Sequence, residues 1–278
     1  MPMKRKKTLL CAAALLLAAA VCISIDSKYN LELTEYTLGF ERLPANFEGF
    51  KIVQLSDLHG MSFGKDNGRL VKLVAEQDPD IIVLTGDMAE NEKQLRALES
   101  LMRGISDVAP VYYVSGNHEF SYKYIDEVRA LMEKWGAESL ENEYEQIFRG
   151  GEAIVIAGVD DPNGRADMIK PDALAARIRE EYPENFVLWL GHRNYWVEKY
   201  PALPVDLILS GHAHGGIVRL PFIGGLFSTA HGLMATYEKG LYEGEEFIMA
   251  VSRGLGNSVP APRFLNRPEI VSIILEKK

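Results

Sequence analysis

Five short apolar runs in this chain each end in a loop that carries a carboxylate, an amide or an imidazole. The runs are Lys51–Leu55, Ile81–Thr85, Val111–Ser115, Phe186–Leu190 and Val205–Ser210. Runs this short have strand length and are too brief for a buried helix. Between them lie stretches with helical period: Gly68–Gln77, Glu92–Arg103, Ile125–Trp135 and Pro171–Glu180, the last with proline at its start. Ala153–Gly158 reads as a further strand, and Tyr195–Tyr200 as one or two helical turns. Strands that alternate with helices must bury both faces of a sheet, which predicts an α/β layered architecture. After His214, glycine and proline are frequent, and Ile217–Leu220, Phe247–Val251 and Ile270–Leu275 suggest antiparallel strands. A sheet of mixed direction, or two packed sheets flanked by helices, fits this better than a pure doubly wound fold. No internal repeat and no linker marks a second globular domain.

The N-terminus differs from the rest. Lys4-Arg5-Lys6-Lys7 precedes an apolar run from Leu9 to about Ile25. As a helix at ~1.5 Å per residue that run spans roughly 25 Å, close to one bilayer core. The basic flank predicts a cytoplasmic N-terminus, and hence a single-pass anchor in the cell membrane with an extracytoplasmic body. A cleaved signal peptide is the competing reading, but no clear A-x-A site precedes Asp26. The expected organisation is a basic flank and transmembrane signal-anchor over 1–28, a tether and first strand over 29–48, and a catalytic domain over 49–278. Both cysteines, Cys11 and Cys22, lie in the anchor, so the body offers no disulfide and no thiolate ligand. Of the net charge of −9, residues 1–30 hold five cations and one anion, which leaves 25 cations against 38 anions in the body. A body at −13 repels phosphate backbones, so no nucleic-acid partner is expected.

The loops after the strands hold five of the six histidines, only His231 lying elsewhere. They read Asp57-Leu58-His59, Gly86-Asp87, Gly116-Asn117-His118-Glu119, Gly191-His192 and Gly211-His212-Ala213-His214. Strand ends are where layered α/β proteins place their sites. Asp57 and His59 are two apart, which in an extended segment puts them on one face, and His212 and His214 repeat the spacing. Gly86 before Asp87 lets the backbone approach an ion closely. Carboxylate, amide and imidazole groups brought together from several strands suit a pair of hard-to-borderline metal ions.

The series D-x-H, G-D, G-N-H-E, G-H and G-H-x-H resembles the calcineurin-like metallophosphoesterase superfamily from about residue 50 to the C-terminus. Ser252-Arg253-Gly254-Leu255-Gly256, with Pro262-Arg263-Phe264 and Pro268-Glu269-Ile270, is similar to its membrane-associated bacterial branch. The resemblance implies a four-layer αββα sandwich with two metal ions between the sheets. It implies Asp57, His59, Asp87 and His214 around one ion, and Asp87, Asn117, His192 and His212 around the other. By the same resemblance Asp87 would bridge the two, and His118 would stay off the metals as the catalytic imidazole, with Glu119 either orienting it or standing as a solvated turn residue. Oxygen and imidazole donors without thiolate admit Mn, Fe or Zn. Two divalent or trivalent ions ~3.5–4 Å apart clamp a phosphoryl group and acidify a bridging water, whose hydroxide attacks in line. A proton from His118 to the leaving oxygen is typically worth ~100- to 10,000-fold.

Two positions depart from the pattern. Arg193-Asn194 follows His192 where a small polar pair is common, and Arg193 is either a phosphate ligand or a loop cation. Ile217 stands where the branch commonly has Gln. The apolar stretch Leu220–Phe227 is either a buried loop or strand pair, or an apolar lip for a lipid-linked substrate or the bilayer surface. The function expected is hydrolysis of a phosphodiester or pyrophosphate, on a phosphoester that is lipid-linked or part of the cell envelope. The alternatives are a UDP-2,3-diacylglucosamine pyrophosphohydrolase-type enzyme of lipid A synthesis and a catalytically silent metal-binding scaffold.

Overall fold

The computed structural model describes residues 2–228, 232–233 and 236–278; the side chains of residues 2–6 and 228 lie outside that description, and so does His231. In chain order the elements are α1 (Pro2–Tyr29), β1 (Glu32–Phe40), β2 (Lys51–Leu55), α2 (Gly68–Ala75), β3 (Ile81–Thr85), α3 (Glu92–Ile105), β4 (Val111–Val114), α4 (Asn117–Ser121), α5 (Ile125–Lys134) and β5 (Glu138–Ser139). There follow β6 (Glu143–Arg149), β7 (Glu152–Val159), α6 (Pro171–Glu181), β8 (Val187–Gly191), α7 (Trp196–Lys199) and β9 (Leu207–Ser210). The chain ends with the short strands β10 (Arg219–Leu220), β11 (Gly224–Gly225), β12 (Phe227–Ser228) and β13 (Gly232–Leu233), and then β14 (Gly240–Glu243), β15 (Ile248–Val251) and β16 (Glu269–Lys277).

Two six-stranded sheets carry the fold, in the orders β1-β16-β2-β3-β4-β5 and β14-β15-β9-β8-β7-β6. The central strands β2, β3 and β4 are parallel in the first sheet, and β7, β8 and β9 are parallel in the second. Side chains alternate across each strand. Ile52, Ile81 and Val83 point into the space between the sheets, where they meet Leu188, Leu190, Leu207 and Leu209. Val53, Leu55, Ile82 and Leu84 point the other way, onto α2, α3 and α5. Val187, Trp189 and Ile208 cover the outer face of the second sheet beneath α6 and α7. The layers are therefore helix, sheet, sheet, helix. Each fully buried aliphatic side chain in these three cores contributes about 1.5–3 kcal/mol. Gln54 is the polar exception between the sheets: its Nε2 donates to Thr85 Oγ1 and to the Ser210 carbonyl, both at 2.9 Å, which ties the two sheets together at the strand ends.

The strands after His214 are more mixed than expected. β16 is antiparallel to β2 but parallel to β1, and β15 is antiparallel to β14 but parallel to β9. Ile217 starts no strand; it ends a tight turn over His214–Gly216 with φ +46°. The charged strand β6 went unread because its outward glutamates mask the alternation of an edge strand.

Helix α1 includes one apolar span, Lys7–Tyr29, whose most apolar 18-residue stretch has mean hydropathy 2.6 and no buried residue. Its last turns nevertheless dock on the body. Ser27 is fully buried and its Oγ accepts from the Asn266 amide at 3.3 Å. Arg267 donates to both Asp26 oxygens at 2.7 and 2.9 Å.

Candidate metal centre

β2, β3 and β4 of one sheet and β8 and β9 of the other end at the same edge, and their loops converge there. Asp57, His59, Asp87 and His214 each offer one ligand atom, and these atoms lie within 4.8 Å of one another. Asp87, His192 and His212 form a second such group. The two groups share Asp87. Its Oδ2 faces His192 Nε2 at 3.2 Å, His59 Nε2 at 3.5 Å and His118 Nε2 at 3.9 Å. Asn117 and His118 open α4 beside them, and the His118 amide donates to Asp87 Oδ1 at 2.9 Å.

The backbone that delivers these groups is strained. Asp57, His59, Asp87, His212 and His214 all have left-handed φ, between +44° and +70°. Such φ is uncommon away from glycine and costs of order 1–3 kcal/mol per residue. The extended segments expected at Asp57–His59 and His212–His214 are therefore tight turns, because an extended chain could not fold both side chains back toward Asp87. Neighbouring loops hold the turns in place. The His212 amide donates to both Asp57 oxygens at 3.1–3.2 Å, and Ser56 Oγ donates to Asp57 Oδ2 at 2.6 Å.

Glu119 serves the turns and does not touch His118. Fully buried, it accepts from the amides of Asp87 at 3.1 Å, Met88 at 2.5 Å and Gly116 at 2.9 Å. His118 is oriented instead by Glu90, whose Oε2 lies 2.5 Å from His118 Nδ1. Glu90 was invisible in the sequence: it lies three residues past Asp87, after the turn, where no periodicity marks it. His59, Glu90 and His118 also have ligand atoms within 4.8 Å of one another.

Burial and crowding shift the ionisable groups of the centre. Burial pushes the Asp57 carboxyl up to about 6, with the Asp87 charge adding to it. Burial pulls His59 down to about 4 and holds His212 and His214 well below the ordinary imidazole value, so all three are neutral donors. Burial opposes the charged pair of Asp87 and His192, but their mutual attraction wins: Asp87 is lowered and His192 is raised to about 10. Burial also works against a His118 cation, yet the hydrogen bond with Glu90 and the Asp87 charge outweigh it and raise the pKa. A metal test of the donor set is passed on a second count. Asp87 Oδ2, Asn117 Oδ1, His59 Nε2 and His214 Nδ1 are buried without a hydrogen-bond partner among the described residues. Buried polar atoms are almost always paired, and a bound ion would pair those that face Asp87.

Arg193 stands at the centre's edge. Its Nε and Nη2 are held by the buried Asp161 at 2.5 and 3.1 Å, and its Nη1 lies 3.0 Å from His212 Nε2. Ile217 is buried, so an apolar side chain fills that position. Leu220–Phe227 is not a buried strand pair: β10 and β11 pair, but Phe222 at their tip is fully exposed and Ile223 and Phe227 are 56% and 42% exposed.

The family model of the calcineurin-like phosphoesterases matches residues 50–216. An uncharacterized metallophosphoesterase of Bacillus subtilis, YkuE, is 31% identical over 255 residues, which cover 89% of this chain and 86% of that protein. An uncharacterized metallophosphoesterase of Aquifex aeolicus is 32% identical over 260 residues, covering 90% of this chain and 94% of that protein. A transmembrane protein with metallophosphoesterase domain from Danio rerio is 26% identical over 285 residues, covering 95% of this chain and 62% of that protein. The matched span contains every strand-end loop that converges on Asp87, and the chain belongs to the calcineurin-like phosphoesterase family.

Proposed function

We propose that this chain is a two-metal phosphoester hydrolase that cuts a phosphodiester or pyrophosphate bond at the membrane surface. The observation that carries the reading is the placement of Asp87 Oδ2 between two buried donor groups. Asp57, His59 and His214 would hold one ion, Asn117, His192 and His212 the other, and Asp87 both. Ions of Mn, Fe or Zn suit these donors and, when bound, supply an acidified water and offset the charge on the phosphoryl oxygens.

The chain's own groups complete the reaction. Water adds to phosphorus and the bond to the leaving oxygen breaks. His118, with Nδ1 tied to Glu90 and Nε2 toward Asp87, gives its proton to that oxygen. The Glu90 hydrogen bond favours the protonated imidazole. Arg193, fixed by Asp161, donates to a phosphoryl oxygen beside His212.

The helix α1 is read as a retained single-pass anchor of the membrane-associated branch, with residues 49–278 as the extracytoplasmic catalytic domain. The basic flank supports the sidedness. The docking of Asp26 and Ser27 on Arg267 and Asn266 supports retention, as does the similarity to a relative named for a transmembrane segment. Lipid-linked or cell-envelope phosphoesters fit such an enzyme. The test is elemental analysis of the purified, metal-supplemented chain together with turnover of bis-p-nitrophenyl phosphate. Two ions per chain and metal-dependent turnover are expected; a chain that binds no ion, or that turns over equally after chelation, refutes the reading.

A further inference from the structure

Between the end of α1 and the metal centre lies a cavity of about 330 Å³ that no part of the reaction above uses. Small-molecule sites begin at about that size. Lys28 from the end of α1 and His59 from the first donor group both line it. Met61, Val259 and Ala261 are among its apolar wall residues, and Arg263 lines it too. Arg263 is 4% exposed, and its Nη1 has no hydrogen-bond partner among the described residues, although Nε and Nη2 bind the carbonyls of Gly256 and Arg253. Burial pulls its guanidinium down to about 10, so it stays charged at neutral pH. An apolar slot lined by a buried guanidinium with one nitrogen unpartnered among the described residues fits an amphiphile that carries a negative charge.

The surroundings say where such a ligand comes from. The segment after Arg263 holds the end of α1 through Asn266 and Arg267, and it carries Leu265, 44% exposed. The same segment holds the exposed apolar loop: Val218 bridges Phe264, and the Arg219 amide donates to the Phe264 carbonyl at 2.9 Å. Phe222, Ile223, Phe227 and Leu265 are thus exposed apolar residues on segments that are tied, directly or through residues 264–267, to the base of the apolar helix. Isolated exposed apolar residues are ordinary, but a group rimming a helix of membrane-spanning length marks a bilayer contact.

We propose that this slot receives the apolar tail of a membrane-borne phosphoester, which reaches the metal centre from the bilayer alongside α1. The proposal rests on the hydrolase reading and specifies its substrate class. A free, water-borne phosphoester needs neither the apolar wall nor a site bounded by the helix end.

The test uses the full, detergent-solubilised chain and two diesters with one reacting group, methyl p-nitrophenyl phosphate and octyl p-nitrophenyl phosphate. The octyl ester is expected to show a KM at least about tenfold lower. Ala261→Trp, at an exposed wall position, fills the slot and brings the octyl-to-methyl ratio of KM close to one. Val259→Asp places a charge in the wall and does the same without adding bulk. Equilibrium dialysis of octylphosphonate and methylphosphonate reads the slot without turnover, and the same tenfold preference and its loss in both variants are expected. Equal KM values and equal phosphonate binding for the two chain lengths overturn the slot. A chain-length preference that survives both substitutions overturns it as well. If neither ester is hydrolysed by the metal-loaded chain, the hydrolase reading fails, while phosphonate binding still decides whether the slot takes a tail.

Discussion

Replacing Gly211 with alanine tests whether the centre depends on the close packing of its loops. A Cβ at Gly211 lies 1.9 Å from Ser56 Oγ and 2.4 Å from Asp57 Oδ2. Ordinary contact is about 3.5–4.0 Å, so at least one group must move by more than an ångström. Ser56 cannot swing aside without losing its bonds to Asp57 Oδ2 at 2.6 Å and to the Thr85 carbonyl at 3.1 Å. Overpacking a filled site costs about 1–3 kcal/mol, and a lost hydrogen bond to a charged group about 1.5–3 kcal/mol. A combined cost of about 3 kcal/mol that falls on the Asp57 position corresponds to roughly hundredfold weaker metal binding. The assay is an Mn titration with chelator competition, read by bound-metal analysis and by the rise in unfolding temperature that the metal produces. Gly68→Ala is the control: a Cβ there meets nothing within 4 Å, and the backbone is already helical. That substitution should hold or slightly raise stability. A Gly211→Ala chain with unchanged metal affinity would refute the claim that the Asp57 carboxylate is positioned by this contact.

Three further substitutions separate the roles around Asp87. His118→Ala should keep both ions and lose about 100- to 10,000-fold in kcat; loss of metal in that variant would make His118 a ligand instead of an acid. Glu90→Gln should move the alkaline limb of the rate profile acidward. The sign follows from the raised His118 pKa: the protonated acid persists above the ordinary imidazole value and is lost as pH rises through it, so removing Glu90 makes that loss come earlier. An unmoved limb with intact metal content refutes the link. Glu119→Ala leaves the amides of Asp87, Met88 and Gly116 without their acceptor, which should cost about 3 kcal/mol and lower the unfolding midpoint by about 6–12 °C. A midpoint within a degree or so of the wild type would show that the loops hold without it.

What the sequence reveals here depends on whether a property is local. The apolar runs of β2, β3, β8 and β9 alternate between two cores, so their strand nature and the layered fold were legible from short-range pattern. The donors stood out because histidine is scarce in the chain and five of the six follow strands. Glu90 and Asp161 are not legible as site residues, and Arg263 stands out only as part of a branch motif. Each acts through a partner far off in sequence or across a turn, and a lone charged side chain in a loop reads as solvated. Glu119 was read as a possible partner of His118 because it is adjacent, whereas its carboxylate turns inward to amides some thirty residues away. The Asp57 and His212 turns were read as extended because spacing carries no record of φ.

Those turns also link the centre to the slot. Five left-handed residues together store several kcal/mol, which persists only where the surroundings over-determine the backbone. The hold on the Asp57 turn comes in part from the stretch 252–256. The Leu255 amide donates to the Ser56 carbonyl at 2.9 Å, and the Gly256 amide to the Asp57 carbonyl at 2.6 Å. A Cβ at Gly256 would lie 2.1 Å from the Leu58 carbonyl oxygen, so the two loops run in direct backbone contact. Leu255 and Gly256 also wall the slot, and Arg263 Nε binds the Gly256 carbonyl at 3.0 Å. The wall that would take the tail of a substrate is therefore the wall that fixes Asp57. Filling the slot with Ala261→Trp should then change the octyl-to-methyl ratio while Mn affinity stays within about threefold, because position 261 lines the cavity without bonding to the Asp57 loop. Should Mn affinity fall together with tail preference, the slot and the centre would be one packing unit, and the apolar tail would act by ordering the ligand loop as well as by binding.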